Sequence, residues 1–218
     1  MAQTKSKPKV TKLDLRKQHR ELYAPPAKEV IVVDVPEFLY LALDGRIEAG
    51  AGPSDSESFR EAMSAVYGVA YGLKFMSKLR ADNPIDFKVM AMEGLWSTES
   101  GDEFDWKWTE PSLYTLLMVQ PQHITTPMFE SAVTHARAKH PNPAHDDLRL
   151  MSWCEGPAIQ IMHIGPYAAE PATLGKMDAF AKENGYELHG RHHEIYIGDP
   201  TKAKPEKLKT ILRHPIEI

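Results

Sequence analysis

A chain of 218 residues, 42% hydrophobic and 26% charged, has the composition of a folded globular protein with room for a substantial core. Its formal net charge of −4 gives no overall case for nucleic acid as a partner. No apolar run is long enough to span a bilayer, no secretory h-region is present, and the single cysteine, Cys154, excludes an internal disulfide framework, so a cytoplasmic protein without a membrane partner is expected.

Residues 1–27 read as a polar, partly disordered tail, basic through Lys5, Lys7, Lys9, Lys12, Arg16, Lys17 and Arg20 and closed by Ala24-Pro25-Pro26-Ala27. After a short apolar run over 29–35, FLYLALDGR (38–46) is the first clear strand, stopped by Asp44-Gly45. Ser54 or Ser56 offers an N-cap for a long helix over 57–80, with Phe59, Met63, Val66, Ala70 and Leu73 as its core stripe. Gly68 and Gly72 on one line predict close approach of this helix to a sheet, and Tyr67, Tyr71 and Lys74 flank that line. DFKVMAMEGLW (86–96) and DWKWTEPSLYTLLMV (105–119) read as strands joined by an acidic loop, with a bulge or bend at Pro111. Thr126-Pro127 opens a helix to about residue 139. Residues 148–153 and 159–164 suggest a hairpin around Glu155-Gly156-Pro157, beside which Cys154 is read as a small, largely buried residue. Pro171 starts a further helix that ends at Asn184-Gly185. A strand over 192–197, closed by Gly198-Asp199-Pro200, and a last strand over 208–216 complete the chain.

This order contains a repeat. FLYLALDGR, the long helix, FKVMAMEGLW and YTLLMVQP form one β-α-β-β set; AIQIMHIGPY, a helix, GRHHEIYIG and KTILRHPI form another. The expected fold is therefore α+β, one domain over 28–218 with halves at about 28–120 and 155–218 joined by a helix and a strand. A pseudo-twofold axis would relate the halves and leave a central ligand cleft. In that register Glu93 falls opposite Glu194.

The chemistry concentrates in His192-His193-Glu194-Ile195-Tyr196-Ile197. Strand alternation puts His192, Glu194 and Tyr196 on one face and His193, Ile195 and Ile197 on the other. A carboxylate in mid-strand is costly unless it is hydrogen-bonded or serves a cavity. His189, His192 and His193 crowd Glu194, but alternation splits them, and no HExxH or paired Cys-x-x-Cys occurs, so no metal is expected. There is no G-x-S-x-G and no phosphate loop, and no cofactor is expected. Trp106 and Trp108 lie two apart with Lys107 between them, which suits either a cleft wall or core packing.

The motifs MEGLW, DWKWT, MVQP, CEGPAIQIMHIGPY, GYELHGRHHEIYIGDP and PEKLKTILRHPI resemble the stand-alone GyrI-like small-molecule-binding proteins over nearly all of 28–218. The resemblance implies a tandem β-α-β-β fold with a cleft between its halves. It implies a buried central glutamate at Glu194 with Tyr196 beside it, and an aromatic wall at Trp106, Trp108, Trp153 and Tyr71; His192 and Glu93 are the further candidate ligand contacts. The subgroup this chain looks like hydrolyses cyclopropane-bearing DNA alkylators. That implies Glu194 as base toward water, Tyr196 or Tyr71 as donor, and tryptophans stacking on a flat polycyclic ligand. The alternative is a non-catalytic binder in which Glu194 is the counter-charge for cationic aromatic drugs. Trp96-Ser97 stands where the family carries a tryptophan pair, so the lip of the cleft differs. No helix-turn-helix pattern is present, and protein partners are not indicated.

Overall fold

The computed structural model describes residues 8–101, 104–198 and 202–217. Lys5 and Lys7 of the basic run, Asp102 and Glu103 of the acidic loop, and the Asp199-Pro200 strand stop lie outside the described residues. In chain order the elements are β1 (Thr11–Leu13), α1 (Leu15–Gln18), α2 (Arg20–Tyr23), β2 (Ile31–Val35), β3 (Phe38–Ile47), α3 (Glu57–Lys78), β4 (Ile85–Phe87), β5 (Met92–Thr98), β6 (Ser112–Gln120), α4 (Thr126–Lys139), β7 (Arg149–Trp153), β8 (Gly156–Ile164), α5 (Glu170–Asn184), β9 (Glu187–Leu188), β10 (His192–Tyr196) and β11 (Lys209–Glu217).

The main sheet is antiparallel in the order β2-β8-β11-β10-β5-β6-β3-β7, with β9 attached to β11. The β5–β10 pair lies at the middle of the sheet, with β5-β6-β3 running to one side of it and β10-β11-β8 to the other. Two-residue links, Pro36-Glu37 between β2 and β3 and Cys154-Glu155 between β7 and β8, connect strands near opposite edges. Such a link spans roughly 10 Å at full extension, whereas six strand spacings in a flat sheet are about 29 Å. The sheet must therefore curl on itself. Its concave side carries Glu93, Leu95, His193, Ile195 and Arg213; its convex side carries Met92, Gly94, Trp96, His192, Glu194 and Tyr196.

Both long helices lie on the convex side. Ser56 caps α3 by accepting the Phe59 amide at 3.2 Å, and the buried stripe from Phe59 to Leu73 packs on β3 and β6. Gly72 serves a neighbour other than the expected sheet: a Cβ there would stand 3.5 Å from Ala132 of α4, so the glycine brings two helices together. α5 buries Met177 and Ala181 against Ile159, Ile161 and Leu212, and ends at Gly185, whose φ of +71° suits a residue without a Cβ. The convex faces of β5 and β10 thus form a floor between two helices.

Four local expectations are corrected. Residues 8–27 are not a tail. β1 pairs in parallel with β4, and α2 buries Leu22 and Tyr23 in the concave side, where Gln160 donates to the Glu21 carbonyl at 2.7 Å and Arg213 to that of Leu22 at 3.1 Å. The stretch 86–96 is broken into β4, which pairs with β1 outside the main sheet and is held there by Asp86 bonding Lys12, Lys74 and Lys78, and β5, which starts only at Met92. Residues 105–111 are not strand: the Asp105 carboxylate accepts the amides of Lys107 (2.8 Å) and Thr109 (2.6 Å), closing a tight loop in which Trp108 adopts φ +55°. Finally, β7 and β8 are no hairpin. They pair with β3 and with β2 and β11 respectively, because Glu155 turns inward to its buried partners while Cys154 is exposed.

Candidate functional site

The register of β5 and β10 decides what the floor between the helices offers. Glu194 stands opposite Gly94, and Ile195 opposite Glu93. The expected Glu93–Glu194 juxtaposition is replaced by a one-residue offset, which sends Glu93 to the concave side. Gly94 has a steric role: a Cβ there would sit 2.7 Å from Trp96 Nε1 and 3.0 Å from Tyr196 Oη. Without it, Trp96 Nε1 donates to Tyr196 Oη at 2.9 Å, leaving the tyrosine's own proton free to donate elsewhere. His192 Nε2 lies 3.3 Å from Glu194 Oε1, and Glu194 is only 5% exposed.

A second carboxyl meets Glu194 from above. Glu170, the first residue of α5, is fully buried, and its carboxyl meets the Thr210 hydroxyl and the Glu194 carboxylate. Its pKa is pushed up to about 9, by burial first and then by the charge on Glu194. Glu170 therefore keeps its proton at neutral pH. Burial, followed by the Glu194 charge, also keeps the Tyr196 hydroxyl protonated well beyond the usual phenol range. Sequence reasoning missed Glu170. An acidic residue beside proline in a first helical turn ordinarily marks a solvated helix start, and nothing in Ala169-Glu170-Pro171 shows that it faces inward.

The loop over 104–108 closes the floor. Phe104 stacks on His192 with ring centres 5.9 Å apart and planes at 18°. Trp106 meets Phe104 at 4.5 Å and His192 at 5.6 Å; Trp108 meets Trp96 at 6.0 Å and Phe104 at 5.3 Å. Trp106 and Trp108 therefore reach one aromatic cluster from a loop, and not as neighbours on one strand face. Phe104 was also missed, since a lone phenylalanine in an acidic stretch carries no periodic signal. Tyr167 adds an edge contact to Tyr196 at 6.1 Å.

The remaining sequence candidates lie elsewhere. Trp153 is on the concave side, 5.8 Å from Tyr40 and 6.2 Å from His193. Glu93, wholly buried there, accepts a hydrogen bond from Tyr23 at 3.0 Å. Around them, Glu155 is held by His193 Nδ1 at 2.9 Å and Arg213 Nη1 at 3.0 Å. Burial raises the Glu155 pKa, but the His193 and Arg213 charges overcome it and bring it to about 2. Burial likewise works against the charge on His193, and Glu155 reverses it, leaving His193 raised. A cavity of about 500 Å³ opens beside this network, walled by Leu95, Leu117, Met151 and Trp153. Tyr71, 49% exposed, lines a basic groove near the N-terminal helices. No group of three or more His, Cys, Asp or Glu among the described residues could hold a metal ion, and no helix of the described chain is long and apolar enough to cross a membrane.

Known proteins share this fold. A family model described as the GyrI-like small molecule binding domain matches residues 109–217. An uncharacterised conserved protein from Listeria innocua is 36% identical with a TM-score of 0.84, over 94% of this chain and 100% of its own. A hydrolase from the same organism is 34% identical with a TM-score of 0.83, over 95% of this chain and 100% of its own. A second Listeria innocua structure, also described as a hydrolase, is 33% identical with a TM-score of 0.79, over 94% of this chain and 100% of its own. No curated protein matches the sequence.

Proposed function

We propose, because this chain belongs to the GyrI-like small-molecule-binding domain family, that its convex cleft binds hydrophobic polycyclic molecules and hydrolyses electrophilic cyclopropanes among them. The observation that carries this reading is the pair of buried carboxyls Glu170 and Glu194, walled by Trp96, Tyr196, His192 and the aromatic loop. The likeness to two Listeria hydrolases supports hydrolysis as the reaction class.

The pair supplies both ends of the reaction. Glu194 takes a proton from water as the water oxygen bonds to the ring methylene. The ring C–C bond breaks, and its electron pair flows into the conjugated carbonyl, which becomes a phenolate. Glu170, with Tyr196 beside it, gives a proton to that oxygen. Transfer of the proton from Glu194 back to Glu170 restores the starting state, so the net change is the addition of one water. General acid–base help of this kind is worth roughly 10²–10⁴ in rate, a modest demand for a strained electrophile. The aromatic loop holds the ligand flat and excludes bulk water. Because Glu194 is buried, entry requires that loop to move.

Incubation of the full chain with a duocarmycin-type cyclopropane, followed by mass spectrometry, tests the reading. Gain of one water at least about a hundredfold faster than in buffer is expected. Saturable binding with the compound recovered intact would overturn hydrolysis and leave the sequestration of aromatic drugs through Glu194.

A further inference from the structure

Residues 8–27 also shape a groove on the surface. α1 and α2, anchored by buried Leu22 and Tyr23 and by the β1–β4 ladder, overhang α3 and leave an open groove of about 840 Å³. In a protein of net charge −4, this groove is lined by Arg16, Lys17, Arg20, Lys74 and Lys88 against one carboxylate, Asp14. Lys88 is committed to Asp14 at 2.6 Å and Lys74 to Asp86 at 2.8 Å. Arg16, Lys17 and Arg20 make no ion pair among the described residues. Crowding like charges on a folded surface opposes folding unless something anionic relieves it.

We infer that this groove binds a phosphorylated aromatic small molecule of the nucleotide class. The three unpaired cations are placed to take a di- or triphosphate, with the arginines offering paired donors to its oxygens. The half-exposed ring of Tyr71 and the side chain of Val89 give a flat apolar contact for the base. A groove of this volume matches a small-molecule site, and its concavity favours a compact ligand over an extended nucleic-acid strand. The groove is separate from the Glu194 cleft, and the inference does not rest on hydrolysis there.

Isothermal titration of the full chain with ADP, inorganic pyrophosphate and adenosine tests it. ADP is expected to bind saturably and to weaken as salt rises, pyrophosphate to bind less tightly, and adenosine least. The combined variant Arg16→Ala, Lys17→Ala, Arg20→Ala should lose at least roughly tenfold in ADP affinity while melting at the wild-type temperature. Tyr71→Ala should weaken ADP and leave pyrophosphate unchanged. Absence of saturable ADP binding, or undiminished binding by the triple variant, would overturn the inference. So would tighter binding of a single-stranded oligonucleotide than of ADP, which would make the groove a nucleic-acid track.

Discussion

Glu155→Ala should cost roughly 3–5 kcal/mol of folding free energy, read by chemical denaturation, because it takes from buried Arg213 its carboxylate partner and leaves His193 only Glu93, 3.2 Å from its Nε2. All three side chains are at most 1% exposed, so water cannot take the place of the lost carboxylate. The pH dependence has a definite sign. Glu155, lowered from 4.5 to about 2, contributes stability that is present above pH 4.5 and is lost as pH falls through its folded value. His193, raised from 6.5, contributes stability that is full below pH 6.5 and is lost as pH rises through its higher folded value. Wild type should therefore draw most from this network between pH 4.5 and 6.5, and Glu155→Ala should flatten that maximum. The network faces the concave side, so turnover per folded molecule should be unchanged. A loss under about 1 kcal/mol would mean that the three groups are not a coupled buried unit.

Glu170→Gln should move stability and activity in opposite directions. A carboxyl whose pKa is about 9 when folded and 4.5 when unfolded binds more protons in the folded state across that interval. Folding stability therefore falls as pH rises from 4.5 toward 9. Glutamine has no proton to lose and removes that decline. The variant should gain at least about 1 kcal/mol at pH 8, roughly 2–4 °C in Tm for a chain of this size, and little at pH 4. If Glu170 is the proton donor, the same variant should lose about a hundredfold or more in hydrolysis. An unaltered slope of Tm against pH would show that Glu170 is already ionised in the folded protein. Wild-type turnover would remove it as donor. A site group that weakens the fold it sits in is the usual balance between stability and activity.

The parts legible in the sequence are those governed by periodicity and local stereochemistry. α3 with its Ser56 cap, α4 opening at Thr126-Pro127, Gly185 at the end of α5, and the strands β3, β10 and β11 all follow from patterns of a few residues. Strand alternation also placed His192, Glu194 and Tyr196 on one face. What escaped depends on contacts distant in the chain. The curl of the sheet comes from two short links between strands near opposite edges, and it separates Trp153 and Glu93 from Glu194 by the thickness of the sheet. β4 leaves the main sheet for β1, and three lysines from two other elements converge on its Asp86. Trp108 leaves the strand pattern because Asp105 captures the loop backbone, which no hydrophobic period records. Glu170 was hidden for the same reason, since its partner lies 24 residues on, in β10.

Glu194 on the convex face, and not Glu93 on the concave face, is the proposed reacting group. The initial rate of water addition to a duocarmycin-type cyclopropane by Glu194→Gln and by Glu93→Gln, each divided by the folded fraction, tests it most directly. Glu194→Gln should fall at least about a hundredfold while retaining the far-UV spectrum and its affinity for a neutral ligand, and Glu93→Gln should keep the wild-type rate. Full activity in Glu194→Gln, or a loss confined to Glu93→Gln, would rule out Glu194 as the base.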